Sequence, residues 1–178
     1  MKVLLSIVAV VGIYLVFTRA YAPAPTLLSD GEKKVLVENA TALLAAFEKG
    51  DAEAIIAGTH PAIFNLVSRE EFERTARQST AALSQTVTTV SRTWGEPRGI
   101  YASGSDEVCF VPSESILVMA GKRAHSKGFL IAARKKGTKA WLFLDGAGLR
   151  KNPEVLWKFF PGFPKDVVLP SNKVELIQ

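Results

Sequence analysis

Cysteine is nearly missing from this chain: Cys109 stands alone, so no intrachain disulfide can close. Only two histidines occur, His60 and His125, so a zinc centre would have to lean on carboxylates, and no metal site is expected. The catalytic signatures H-E-x-x-H, C-x-x-C, G-x-S-x-G and G-x-x-x-x-G-K-[ST] are all absent. Gly146-Ala147-Gly148 lacks the third glycine of a dinucleotide fingerprint and reads as a turn, so no cofactor is expected. A strong excess of one charge is lacking too. The formal charge is +5, and setting aside Lys2 and Arg19 leaves 20 basic against 17 acidic residues. That balance gives no reason to expect nucleic acid as a partner.

What is present begins at the N-terminus. Lys2 precedes an apolar run, Val3 to Phe17, broken only by Ser6 and Gly12, and Ala20-Tyr21-Ala22 follows. A basic start, an apolar run and an A-x-A site form a secretory signal, so the protein is expected to be exported, to a periplasm or beyond. Pro23 would follow the bond after Ala22, where its ring obstructs a peptidase. Cleavage after Ala20, cleavage after Ala22 and retention as a membrane anchor therefore stay open. In the last case residues 3–22 are the only membrane contact. The proline-rich stretch 23–29 reads as a linker, and 30–178 as a single domain large enough to bury its own core.

Within that domain the character changes once. Ser29-Asp30-Gly31-Glu32 is a capping box for a helix striped by Leu36, Ala40, Leu43, Leu44 and Phe47. Gly50 ends it and Asp51 starts a short helix to about Gly58. Ser68 opens a third helix, with Phe72, Ala76 and Leu83 on one face. From Thr86 the pattern turns to β. Thr86–Thr93, Gly99–Ser103, Val108–Val111, Ile116–Met119, Gly128–Arg134 and Ala140–Leu144 read as strands of an antiparallel meander. The expected class is α+β: N-terminal helices packed on a curved, cone-like antiparallel sheet, with a C-terminal helix and extended tail.

Two basic clusters, Lys122-Arg123 with Lys127 and Arg134-Lys135-Lys136 with Lys139, read as hairpin turns at opposite ends of one strand. Cys109, among Val108, Phe110 and Val111, reads as a small buried hydrophobe. The aromatic segment 152–170 opens with Asn152 as a helix cap and Pro153 at the first position. It carries Trp157, Phe159 and Phe163, either as a strap over the sheet or as a homodimer or partner surface.

The stretch from Phe47 to Ala54, Phe47-Glu48-Lys49-Gly50-Asp51-Ala52-Glu53-Ala54, with His60-Pro61 after it, resembles the opening of proteins in the nuclear transport factor 2-like superfamily. The late strand pair, Gly128–Arg134 with Ala140–Leu144, resembles that superfamily as well. Trp141 to Gly146 and the Phe-Pro tail resemble uncharacterised exported bacterial proteins. The superfamily resemblance implies a cone with an apolar interior, in which ketosteroid isomerases and scytalone dehydratases carry out proton transfer. Such chemistry needs a general base and an oxyanion donor. The candidates are Asp145, His60 and Tyr101, although the isomerases' tyrosine and paired aspartates find no match here. Each has a plainer role: Asp145 as a turn residue, His60 as a helix cap and Tyr101 as a strand aromatic. Trp141 and Phe143 share side-chain parity with Asp145 and are candidate ligand contacts.

Three functions follow as expectations. The first is an exported, non-catalytic binding domain for a small apolar ligand or an envelope partner. The second is a small-molecule isomerase or dehydratase using a pocket carboxylate. The third is a structural interaction protein using the aromatic tail.

Overall fold

The computed structural model describes residues 25–177. The leader, residues 1–22, lies outside them. No helix among the described residues is long and apolar enough to cross a membrane.

The helical part forms where the caps require it. Helix α1 (Asp30–Glu48) begins at Ser29, whose Oγ accepts from the Glu32 N–H while the Glu32 carboxylate accepts from the Ser29 N–H. Gly50, at φ +72°, turns the chain out of α1 in a left-handed conformation that costs glycine nothing. Asp51 caps α2 (Ala52–Gly58) and Ser68 caps α3 (Arg69–Thr86), each accepting from the N–H three residues on. Between them, Pro61–Asn65 forms a 3-10 turn, a stretch whose apolar composition did not specify its conformation.

Six strands follow in one antiparallel sheet: β1 (Val87–Trp94), β2 (Tyr101–Ser103), β3 (Asp106–Met119), β4 (Lys122–Lys135), β5 (Leu142–Asp145) and β6 (Lys173–Ile177). The centre is a long hairpin in which β3 and β4 pair along their whole length. Each outer edge of that hairpin carries two shorter strands end to end. β1 and β2 pair with β3, and β5 and β6 pair with β4. A bulge between Thr89 and Ser91 bends β1 and helps curve the sheet. The α+β class expected from the sequence is the observed one.

Three expectations need correction. Val108–Val111 and Ile116–Met119 are one strand, not two. Pro112 sits inside it at the gap between β1 and β2. There its carbonyl accepts from Gly95, and its missing N–H, on the same side, leaves no ladder bond unmade. β4 begins at Lys122, not Gly128. Lys122, Arg123, His125 and Lys127 are therefore strand residues, and the turn is Ala120-Gly121, both at positive φ as a two-residue type I′ hairpin demands. The basic clusters still mark opposite ends of that strand. Asn152 does not cap α4 (Val155–Phe159) through its side chain; its backbone carbonyl accepts from Val155 in a preceding turn.

The two sheet faces hold separate cores. On one, Cys109, Val111, Leu130, Ala132, Trp141 and Phe143 pack under Leu36 and Ala40 of α1. Leu28, in the stretch read as linker, is buried there, and Thr26 exchanges two backbone hydrogen bonds with Ile100. On the other face, Val108, Phe110, Phe129 and Ile131 are covered by Leu156, Phe160 and Phe163 of the C-terminal segment. Arg134 ties α1 to the sheet. Its guanidinium bonds Glu107 at 2.7 Å and Glu32 at 3.3 Å and stacks over Trp141.

Candidate functional site

Where α1, α2 and α3 meet the end of β5, their apolar faces do not close on one another. A cavity of about 580 Å³ remains. Leu43, Leu44 and Phe47 come from α1, Ile55 from α2, and Leu130, Phe143 and Leu144 from the sheet; Phe159 closes the far side. Helix α3 contributes Phe72, Thr75, Ala76, Ser79, Thr80 and Leu83, a spacing of three and four residues that puts all six on one face. The volume lies within the ~300–1,000 Å³ typical of small-molecule pockets.

Asp145 is the one titratable residue among those lining the cavity. It ends β5 and caps the following 3-10 turn (Gly146–Arg150), its Oδ1 accepting from the Ala147 N–H at 2.9 Å. Its side chain is solvent-accessible yet surrounded by protein atoms, the situation of a group on a cavity wall. That burial pushes its pKa above the usual carboxylate value, against the opposing pull of the Ala147 N–H and of Arg150.

The other candidates are elsewhere. His60 is buried, and its Nδ1 accepts from the Ala62 N–H at 3.2 Å, so it caps the turn that follows it rather than the helix before it. With Nδ1 an acceptor, the neutral ring carries its proton on Nε2, which lies 3.9 Å from Asp106 Oδ1. Burial lowers the His60 pKa, Asp106 counteracts this and Lys135 adds to it. Lys135 Nζ lies 2.8 Å from the same Oδ1, an ion pair by distance, but its approach lacks hydrogen-bond geometry. Tyr101 packs against Phe110 and Phe163. Of Asp145, His60 and Tyr101, therefore, Asp145 alone is among the residues lining this cavity.

Of the candidate contact residues, Phe143 and Phe159 line the cavity. Trp141 lines, with Phe143, a smaller and more open pocket of about 250 Å³ against α1 and α2. Phe163 is buried in the core, and Trp157 is half-buried with its indole N–H donating to the Phe163 carbonyl. Cys109 donates its S–H to the Arg98 carbonyl. Burial pushes its pKa up to about 12, despite Arg134, so this thiol is unreactive at neutral pH. Among the described residues no group of three His, Cys, Asp or Glu could hold a metal.

The sequence reading missed the hydroxyls Thr75, Ser79 and Thr80. The signal was available, since they fall on the same helical face as Phe72, Ala76 and Leu83. Serine and threonine on an otherwise apolar stripe mark a face that meets something other than packed core.

Asp145 makes a pH-dependent contribution to stability. Its folded pKa lies above the unfolded value of 3.8, so the native state holds the proton through the window between them. Its charge is thus a penalty, complete above the folded pKa and gone as pH falls to about 4. Asp145→Asn keeps an acceptor for Ala147. It is expected to raise stability at pH 7 by at most about 1 kcal/mol after solvent screening, with no gain below about pH 4. Thermal unfolding of both proteins across that range checks this; an equal effect at both ends would rule out burial as its cause.

No family model and no curated protein matches the chain.

Proposed function

We propose that this protein is an exported, non-catalytic binding domain that holds a small apolar ligand between its helices and the end of β5. The observation that carries this reading is the cavity of about 580 Å³, walled by leucine, isoleucine and phenylalanine from four helices and the sheet. Burying a ligand's apolar surface there contributes roughly 25 cal/mol per Å². The secretory pattern of residues 1–22 supports a site of action outside the cytoplasm. The resemblance of residues 47–54 and of the late strand pair to the nuclear transport factor 2-like superfamily, whose fold encloses an apolar interior, points the same way.

A second reading, a small-molecule isomerase or dehydratase, is favoured by one observation: a carboxylate of raised pKa on an apolar wall, which suits a general base. It ranks lower because His60 and Tyr101, the partners that such proton transfer would call on, are not among the residues lining this cavity.

Native mass spectrometry of the protein recovered gently from an exporting host tests the first reading. A bound species of small mass, lost in Thr75→Trp, is expected. Thr75 is exposed to the cavity, so the indole fills space without displacing core. A ligand-free protein that also takes up no apolar probe would overturn it.

A further inference from the structure

We propose that the ligand is an apolar amine, cationic at neutral pH, whose ammonium group sits against Asp145. This inference rests on the binding reading above and names its ligand class.

The wall of the cavity is apolar except for four hydroxyls, Thr59, Thr75, Ser79 and Thr80, and one carboxylate. Among the described residues no lysine, arginine or histidine lines it. Asp145 spends only Oδ1, on the Ala147 N–H, although a carboxylate accepts about four hydrogen bonds. No ion pair reaches it among the described residues. Arg150, the cation near enough to act on it, is held elsewhere: its Nε donates to Asn172 Oδ1 at 3.2 Å, and Asn172 Nδ2 donates in turn to the Gly146 carbonyl at 2.6 Å. The tail thus keeps the neighbouring guanidinium off a carboxylate that faces the cavity.

The hydroxyls match the same ligand. Thr59 donates to the Ile55 carbonyl, which leaves its oxygen free to accept. Among the described residues, Thr75, Ser79 and Thr80 have no hydrogen-bond partner, although several threonines and serines elsewhere in these helices bond back to the preceding turn. An ammonium carries three donors and no acceptor. It meets a wall of one anion and several acceptors, and an apolar tail meets the leucines and phenylalanines. A fatty acid would bring a second carboxylate to a cavity with no cation, and an alcohol would bring one donor and no charge. Burial holds the Asp145 pKa up, and Arg150 offsets this only in part. Arg150, on the turn after β5, is the charged group that faces it. The cavity-lining residues of α1, α2, α3, α4 and the turn after His60 include no titratable group.

Calorimetric titration of the full chain with decylamine, decanol and decanoate, each below its aggregation concentration, tests the assignment. At pH 7 decylamine is expected to bind about tenfold or more tighter than decanol, with decanoate weakest. Asp145→Asn should bring decylamine to decanol's level. The native protein's preference for the amine should also shrink as pH falls and Asp145 takes up its proton. Equal affinity for amine and alcohol, or an amine preference that survives in Asp145→Asn, would overturn the assignment while leaving the binding reading intact. Failure of all three probes to bind would overturn both.

Discussion

Replacing Phe163 by serine is expected to cost about 3–5 kcal/mol, a large share of the ~5–15 kcal/mol that typically holds a domain folded. Phe163 is 3% exposed. Its ring lies 5.4 Å from Tyr101 and 5.7 Å from Phe110, centroid to centroid, and Phe110 is itself fully buried and edge-on to Phe129. Serine would leave a void at that junction and place a hydroxyl where nothing apolar can bond it. The measurement is a urea unfolding curve read beside size-exclusion chromatography. A lower midpoint is the expected result. An unchanged midpoint with loss of an associated species would instead make the tail an interface. The same substitution thus separates a strap that holds the fold from a surface that recruits a partner.

Gly146→Ala is the second large effect. A Cβ built on Gly146 would lie 2.5 Å from the Phe129 carbonyl oxygen and 2.7 Å from two atoms of its ring. The oxygen belongs to the central strand, so it cannot rotate away, and the backbone of β4 or the turn after β5 must shift. Overpacking of this kind costs about 1–3 kcal/mol and occasionally more. Gly148, two residues on and also on the cavity wall, has nothing within 4 Å of its Cβ position, so Gly148→Ala serves as the matched control. Gly146→Ala is expected to lower the melting temperature by several degrees and to disturb the Asp145 carboxylate, which the same turn positions. Gly148→Ala should leave both nearly as they are. An equal loss in both would place the cause in the turn itself, not in the contact with Phe129.

The parts of the fold legible in the sequence were those governed by local chemistry. Ser29, Asp51 and Ser68 announce their helices because a cap is a contact across three residues. The length of the central hairpin was not legible. Pro112 and the polar stretch around Ser115 look like breaks, and only the gap between two partner strands makes a proline tolerable there. β6 was missed for a similar reason. Lys173–Ile177 alternates polar and apolar only over Lys173-Val174-Glu175-Leu176, too short a run to stand out, and it is exposed throughout; its pairing with β4 supplies the order. Asp145 stood out by its place at the end of an apolar strand. His60 and Tyr101 could not be assigned in the same way. Their backbones lie near β5 and β3, but which side of the sheet a side chain enters depends on contacts dozens of residues away.

The central hairpin has a further consequence for how the molecule opens. Its two strands are continuous, but only the half containing Val108–Val111 and Phe129–Ala133 lies between two cores. Towards the Ala120-Gly121 turn, the flanking partners are the bulged β1 and the wholly exposed β6, and most side chains are only half-buried. Continuity of strand is therefore not continuity of protection. Amide hydrogens near the turn can exchange with solvent through a local fraying that leaves the cavity end shut, whereas those of Phe110 and Ile131 must wait for the whole domain to unfold. The sheet wall of the cavity, Leu130 with Phe143 and Leu144, belongs to the slow half, so that wall stays in place through the motions that open the other end.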